Sequence, residues 1–263
     1  MKVAVKRMKA SFANTKDGTA NMKLFSNELD IAVNLRHENV VRVFGGSLQP
    51  DVYIVMELCE PGSLWNIITD DELYTITDPH RIIWMRDLAC GLGYLHSKGV
   101  LHQDVKSMNV LVDKNCCAKW TDFGLSESHR TASFMQNHRN RGGTEGWMPP
   151  EAYTSNDYGS YSDIWGFGLI IYHLVEGRPA FRGVRAVPYA VCHAKFDLDK
   201  LRTTKEVVRG LFKACVQVDT KKRPSAGSVL KALEPHVSTE SGFPERHQLM
   251  ARLLSSPDEH GGV

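Results

Sequence analysis

The strongest constraint in this 263-residue sequence is a change of hydrophobic period at "EPGS", residues 60–63. Before it, residues 2–8, "VVRVFGG" and "VYIVMEL" alternate or run apolar over strand lengths. Among them "LFSNELDIAVNL" places Phe25, Leu29 and Val33 on one helix face. Residues 11–21 read as a polar loop. Pro and Gly then break the pattern, and the remainder is mostly helical. A strand-rich part followed by a helix-rich part predicts an α+β chain with two segregated layers of structure.

The clearest helix spans 79–98, with Asp78 as its cap, Pro79 in its first turn and Gly99 at its end. Ile82, Met85, Ala89, Leu92 and Leu95 form its apolar face. "NVLV" and "CCAKW" around "DKN" predict a short hairpin, with the adjacent Cys116 and Cys117 on opposite sides of a strand. Further helices are expected near 161–176, 204–217 and 225–234. From about residue 237 Ser, Glu, Pro, His and Gly predominate, and a loose tail over 237–263 is expected.

Composition removes several function classes. Net charge is +2, so no global basic field points to nucleic acid. The apolar stretch "FGLIIYHLV" is far shorter than a membrane span and reads as a buried core helix. Lys2, Lys6 and Arg7 are followed by no apolar run, so no signal peptide is read. Six cysteines show no C-x-x-C pair, which fits free thiols in a reducing compartment, cytoplasmic or nuclear.

Chemistry concentrates in "VLHQDVKSMNVLV", where Asp104, Lys106 and Asn109 fall within six residues between a helix and a strand. Asp122 of "TDFG" follows thirteen residues after Asn109. Asn and Asp at the ends of a hairpin offer hard oxygen donors of the kind that hold Mg²⁺ together with phosphates. A separate Asp can accept a hydroxyl proton, and a Lys beside it can neutralise a phosphoryl oxygen. Taken singly, each is more simply a solvated loop residue, and Lys6 a charge that guards an edge strand.

As an ordered set, these motifs resemble the eukaryotic protein kinase family, from residue 1 to about 236. The resemblance implies a small lobe over 1–59 and a helical large lobe over 60–236. "VAVK" resembles the strand whose lysine, here Lys6, contacts the α/β-phosphates of ATP, and Glu28 the helix glutamate that pairs with it. "MELCEPGSL" resembles the hinge, with Met56 as gatekeeper and the backbones of Glu57 and Cys59 on adenine; Ala4 and Leu111 complete the nucleotide set. "HQDVKSMN" resembles the catalytic loop and "DFG" the metal motif, so Asp104 and Lys106 are implied as catalytic, and Asn109 and Asp122 as Mg²⁺ ligands. "GTEGWMPPE", "YSDIWGFG" and "KKRPS" resemble the later motifs, with Asp163 as an anchor and Glu151 paired to Arg223. Lys106 two residues after Asp104, and Thr144, are similar to serine/threonine kinases, nearest the tyrosine-kinase-like branch, and imply a protein substrate with a Ser or Thr acceptor.

His102, Trp147 and Trp165 are expected to be packed, and "HRTASFMQNHRNR" a solvated loop. Two departures stand out. Gln103 replaces the arginine that in the family receives an activation-loop phosphate, and it has no charge to do so. No G-x-G-x-x-G precedes "VAVK". Either the polypeptide extends upstream of Met1, or this is a reduced relative acting as a non-catalytic scaffold. In these 263 residues by themselves the lysine strand is expected at an unpaired edge, with weak Mg²⁺–ATP binding and poor or no phosphate transfer.

Overall fold

The computed structural model describes residues 2–7, 25–26, 29–49, 51–123, 127–128, 144–155, 157–194, 196, 201–203, 205–237 and 244–255. The first part is an antiparallel sheet of β1 (Val3–Arg7), β2 (Val43–Ser47) and β3 (Tyr53–Glu57) in the order β1-β3-β2. Its register sets Ala4 opposite Met56 and Lys6 opposite Ile54. Residues opposite one another share a face, so Lys6 and Ala4 lie on the side of the sheet that carries the buried Ile54 and Met56. Helical turns at 25–26 and 29–32 pack here, with Phe25 and Ala32 buried. Among the described residues β1 is an edge strand, as expected, and exposes Val3 and Val5.

The "EPGS" break becomes β4 (Gly62–Ser63), and Ser63 caps α1 (Leu64–Thr69) by accepting from the Asn66 N–H at 3.2 Å. The long helix α2 (Asp78–Ser97) matches its prediction, except that the cap is Thr77. The Thr77 N–H donates to His80 Nδ1 at 3.0 Å, a reciprocal cap that places Asp78 in the first turn. All five predicted face residues are buried, and so are Trp84 and Leu88, because α2 is covered on more than one side.

After β5 (Val100–Leu101), a 3-10 turn at Ser107–Asn109 leads into the hairpin of β6 (Val110–Val112) and β7 (Ala118–Trp120). Cys116 is not in a strand: it sits at φ 59° in the connecting turn, so the predicted opposition of Cys116 and Cys117 does not arise and both are buried. The short β8 (Glu127–Ser128) pairs with β5.

Helices α3 (Pro150–Thr154), α4 (Ser160–Glu176), α5 (Val187–Cys192), α6 (Glu206–Cys215) and α7 (Ala226–Leu233) complete the large part. α4 contains the apolar "FGLIIYHLV" and is a core helix, with Trp165, Phe167, Ile170 and Ile171 at most 1% exposed. No helix among the described residues is long and apolar enough to cross a membrane.

The expectation of a loose tail does not hold for its middle. α8 (Arg246–Leu253) buries Leu249 and Leu253 completely. Arg246 donates to both oxygens of the buried Asp87, at 2.9 and 2.6 Å, and to the Cys116 carbonyl. The Thr75 N–H donates to the Leu253 carbonyl at 3.0 Å. Two leucines and a guanidinium on one helix face outweigh the polar composition around them.

Candidate active site

Residues 102–109 are held mainly by one face of α4. Asp163, 1% exposed, accepts from the His102 N–H at 3.0 Å and the Gln103 N–H at 2.9 Å, and its Oδ2 lies 2.8 Å from His96 Nε2. These bonds fix Gln103 at φ 63°, a left-handed conformation that a side chain adopts at a cost of about 1–2 kcal/mol. One turn along α4, Gly166 lets the loop approach: a Cβ there would stand 2.7 Å from the Val105 carbonyl oxygen. Two turns further, His173 Nδ1 lies 2.9 Å from the Ser107 hydroxyl. Asp163, Gly166 and His173 are spaced i, i+3, i+10, a single helical stripe.

The loop so held brings three predicted side chains together. Lys106 Nζ donates to Asp104 Oδ2 at 2.6 Å and to Thr144 Oγ1 at 2.7 Å. Asn109 Nδ2 donates to Asp104 Oδ2 at 2.8 Å and to the Asp104 carbonyl at 2.9 Å. The Asp104 and Lys106 side chains are only 11% and 14% exposed, so their pairing is largely shielded from water. Asp104 is thus a carboxylate oriented by two donors, the arrangement a positioned general base requires.

The hairpin connects Asn109 to Asp122. The Thr121 N–H donates to the Asn109 carbonyl at 3.0 Å, continuing the β6–β7 ladder and setting Asp122 beside Asn109's end of the hairpin. Asp122 is itself left-handed, φ 65°. Lys6 Nζ reaches its Oδ1 at 3.2 Å. The sequence paired Lys6 with Glu28; the structure brings Lys6 to Asp122, and Glu28 lies outside the described residues.

The donor set can be tested against Mg²⁺. With both hydrogen bonds of its amide nitrogen on Asp104, Asn109 retains its carbonyl oxygen as a hard donor, and Asp122 supplies a half-exposed carboxylate. No three His, Cys, Asp or Glu side chains among the described residues form a metal cage. Two oxygen donors without a full cage fit an ion that takes its other ligands from phosphates and water.

At the predicted hinge, Met56 is buried at the end of β3 and faces Ala4 across the sheet. The Glu57 carboxylate accepts from the Arg42 N–H at 2.7 Å and from Lys119 Nζ at 3.0 Å, so its side chain is a structural tie. Cys59 is buried, and burial pushes its thiol up to about 12, which keeps it protonated and inert. Leu111, in β6, is half-buried against the core.

The other readings of the packed residues hold. His102 is fully buried between Trp120 and Phe123, with ring centroids 5.2 and 5.4 Å away. Arg223 grips Glu151 through two nitrogens, at 2.7 and 2.8 Å. The loop "HRTASFMQNHRNR" lies outside the described residues. Gly166 and His173 were missed by sequence reading; their spacing from Asp163 was the available signal.

A family model described as "Protein kinase domain" matches residues 1–233. The chain belongs to the protein kinase family. Its two-part α+β architecture is that of the kinase fold. This kinase-family chain is 32% identical over 238 residues to serine/threonine-protein kinase ste20 of Aspergillus oryzae, covering 87% of the chain and 26% of that protein. It is 32% identical over 235 residues to serine/threonine-protein kinase pakA of Talaromyces marneffei, covering 87% and 35%. It is also 32% identical over 213 residues to a mitogen-activated protein kinase kinase kinase of Drosophila melanogaster, covering 76% and 18%. The kinase chain therefore spans about a third or less of the length of these curated relatives.

Proposed function

We propose that this chain transfers the γ-phosphoryl group of ATP, with Mg²⁺, to serine or threonine hydroxyls of a protein substrate. The observation that carries the reading is the Asp104–Lys106–Thr144 chain of hydrogen bonds, with Asn109 on the same carboxylate. Asp104 orients the acceptor hydroxyl and takes its proton. Lys106, already neutralising Asp104, stands where the transferring phosphoryl gains charge. Asn109 and Asp122 hold Mg²⁺, which when bound neutralises phosphate charge. Lys6 turns from Asp122 towards the α/β-phosphates, with Glu28 as its proposed second partner. The Glu57 and Cys59 backbones receive adenine, with Met56 behind it and Ala4 and Leu111 on its faces. Catalysis of this kind is mainly positioning and charge stabilisation.

The names of the relatives, each a serine/threonine kinase or a mitogen-activated kinase kinase kinase, support the choice of acceptor. Placement on the tyrosine-kinase-like branch rests on "KSMNVL" and "WMPPE" alone. A cytoplasmic or nuclear setting rests on the six free thiols. The test is transfer of radiolabelled phosphate from ATP to a generic Ser/Thr substrate. Asp104→Asn is expected to lower it by about 10²–10⁴-fold with nucleotide binding retained. Transfer undiminished in that variant would remove Asp104 from the reaction.

A further inference from the structure

Beside the candidate site lies a second concavity of about 690 Å³, a volume ample for a side chain and its neighbours. Its walls are Trp65 of α1, Met108 of the catalytic turn, Trp147, Pro179, Phe181 and Val187 at the start of α5. Trp147, Phe181 and Val187 are buried and form a fixed floor. Met108 is different: it is 38% exposed between Ser107 and Asn109, which are 0% and 5% exposed. Met108 therefore adds an accessible apolar side chain to an apolar lining otherwise formed by Trp65, Trp147, Pro179, Phe181 and Val187, and the set makes one contiguous apolar surface.

Electrostatics narrow the occupant. Behind the floor stands His173, whose ring lies 4.9 Å from Trp65 and 5.9 Å from Trp147. Burial pushes His173 down to about 4, so it is neutral near pH 7 and adds no charge to the groove. The charged side chains of the lining are Glu145 and Arg182, one of each sign and both exposed at the rim. Their charges offset, and the groove has no net preference for a charged guest.

Position narrows it further. Thr144 lines both this groove and the smaller cavity that holds Gln103, Asp104 and Val105. It is also the residue bonded to Lys106, which is bonded to Asp104. The groove thus begins two hydrogen bonds from the proposed base. An extended peptide advances about 3.3–3.6 Å per residue, so a residue one to three places from the acceptor reaches it.

Resting on the kinase reading above, we propose that this groove selects protein substrates carrying a bulky apolar side chain within three residues of the phosphorylated hydroxyl. Trp65, Met108 and Phe181 are its specificity-determining residues.

The experiment measures binding apart from transfer. Fluorescein-labelled peptides with a central serine carry Leu, Met, Phe, Ala, Asp or Lys at one flanking position at a time, and their affinity for the whole chain is read by anisotropy. At one position within three residues of the serine, Leu, Met and Phe are expected to bind about tenfold or more tightly than Ala, Asp and Lys. Met108→Glu, with its thermal midpoint confirmed against the parent, is expected to abolish that preference, and Trp65→Ala to reduce it. A flat profile, a preference for Asp or Lys, or an apolar preference that survives Met108→Glu would overturn the assignment. So would sedimentation showing that Met108→Glu dissociates a dimer while peptide binding is unchanged, since the groove would then be an interface between copies. Apolar preference with no phosphate transfer to any peptide, at Mg²⁺–ATP concentrations shown by calorimetry to saturate the chain, would uphold the groove and sink the kinase reading. Transfer with a flat binding profile would do the reverse.

Discussion

Asp104 and Lys6 carry the opposite charges on which the candidate site depends, and the fold secures them in contrasting ways. Asp104 is nearly enclosed, bonded to Lys106 and Asn109, on a loop tied to α4 by Asp163, Gly166 and His173. Lys6 stands on an edge strand and meets Asp122 with the two side chains 38% and 45% exposed. The loop is over-determined, as pre-organised charge in a catalytic site must be. The Lys6–Asp122 pair is exposed to water and to exchange, which suits a cation that must release one partner to meet another. The difference teaches where stability and function coincide in this molecule and where they separate.

The comparison breaks most decisively at Asp163. Asp163→Ala would remove the acceptor of the buried His102 N–H, of the part-buried Gln103 N–H and of His96. The expected loss is about 3–5 kcal/mol in urea unfolding, with phosphate transfer lost as the loop releases Asp104. Asp163→Asn, which keeps one acceptor oxygen, is expected to lie between that variant and the parent. If Asp163→Ala unfolded at the parent's urea midpoint, α4 would not be the support of the loop.

A smaller wedge can be driven three residues along. Gly166→Ala puts a methyl group against Val105, at distances of 2.7 Å to its carbonyl oxygen and Cβ. Overpacking of this kind costs about 1–3 kcal/mol. Because Val105 adjoins Asp104, kcat is expected to fall more than the KM for ATP rises. A change in KM for ATP alone would mean that the loop is not what Gly166 positions.

These contacts mark the boundary of what was legible in the sequence. Asp104, Lys106 and Asn109 lie so close together that local structure alone assembles them, and the hairpin register then delivers Asp122. The period change at "EPGS" likewise foretold the two-part fold. Contacts across long separations were another matter. His173, on an apolar helix, reads as an ordinary core histidine until Ser107, 66 residues earlier, is found beside it. Lys6 and Asp122 are 116 residues apart, and only tertiary packing could choose Asp122 as a partner. The α8 helix was hidden by averaging: its polar surroundings outweighed Arg246, Leu249 and Leu253, which share one face.

A milder test uses pH on the same support. Burial holds His173 near 4 in the folded state, against an ordinary value of 6.5. Below pH 6.5 the unfolded chain therefore takes up a proton that the folded chain refuses, and stability falls as pH falls through this window. Above 6.5 neither state is protonated there and the contribution is flat. The slope is at most about 1.4 kcal/mol per pH unit between 6.5 and 4. His80, also pushed down by burial, adds in the same direction. Urea midpoints measured at pH 7.5, 6.5 and 5.5 are expected to be level over the first interval and to drop over the second. His173→Gln should flatten part of that drop. An equal drop in that variant would mean that His173 is not the group refusing the proton.

The smallest effect on the fold is expected where the functional consequence is still large. Lys6→Met removes the cation and keeps an apolar stem on β1. An ion pair as exposed as Lys6–Asp122 stabilises the folded state by less than about 1 kcal/mol. The thermal midpoint should therefore move little. Binding is another matter, because a charge-assisted bond to phosphate contributes about 1.5–3 kcal/mol, or about 10–100-fold in Kd. Calorimetry with Mg²⁺–ATP on the parent and the variant, together with melting curves, separates the two quantities. Weaker nucleotide binding at an unchanged melting temperature would make Lys6 a ligand-facing charge that the fold can spare. A stability loss near 3 kcal/mol with unchanged ATP affinity would instead make the pair a structural clasp. The contrast between the secured loop and the exposed lysine would then disappear, because both would belong to the framework.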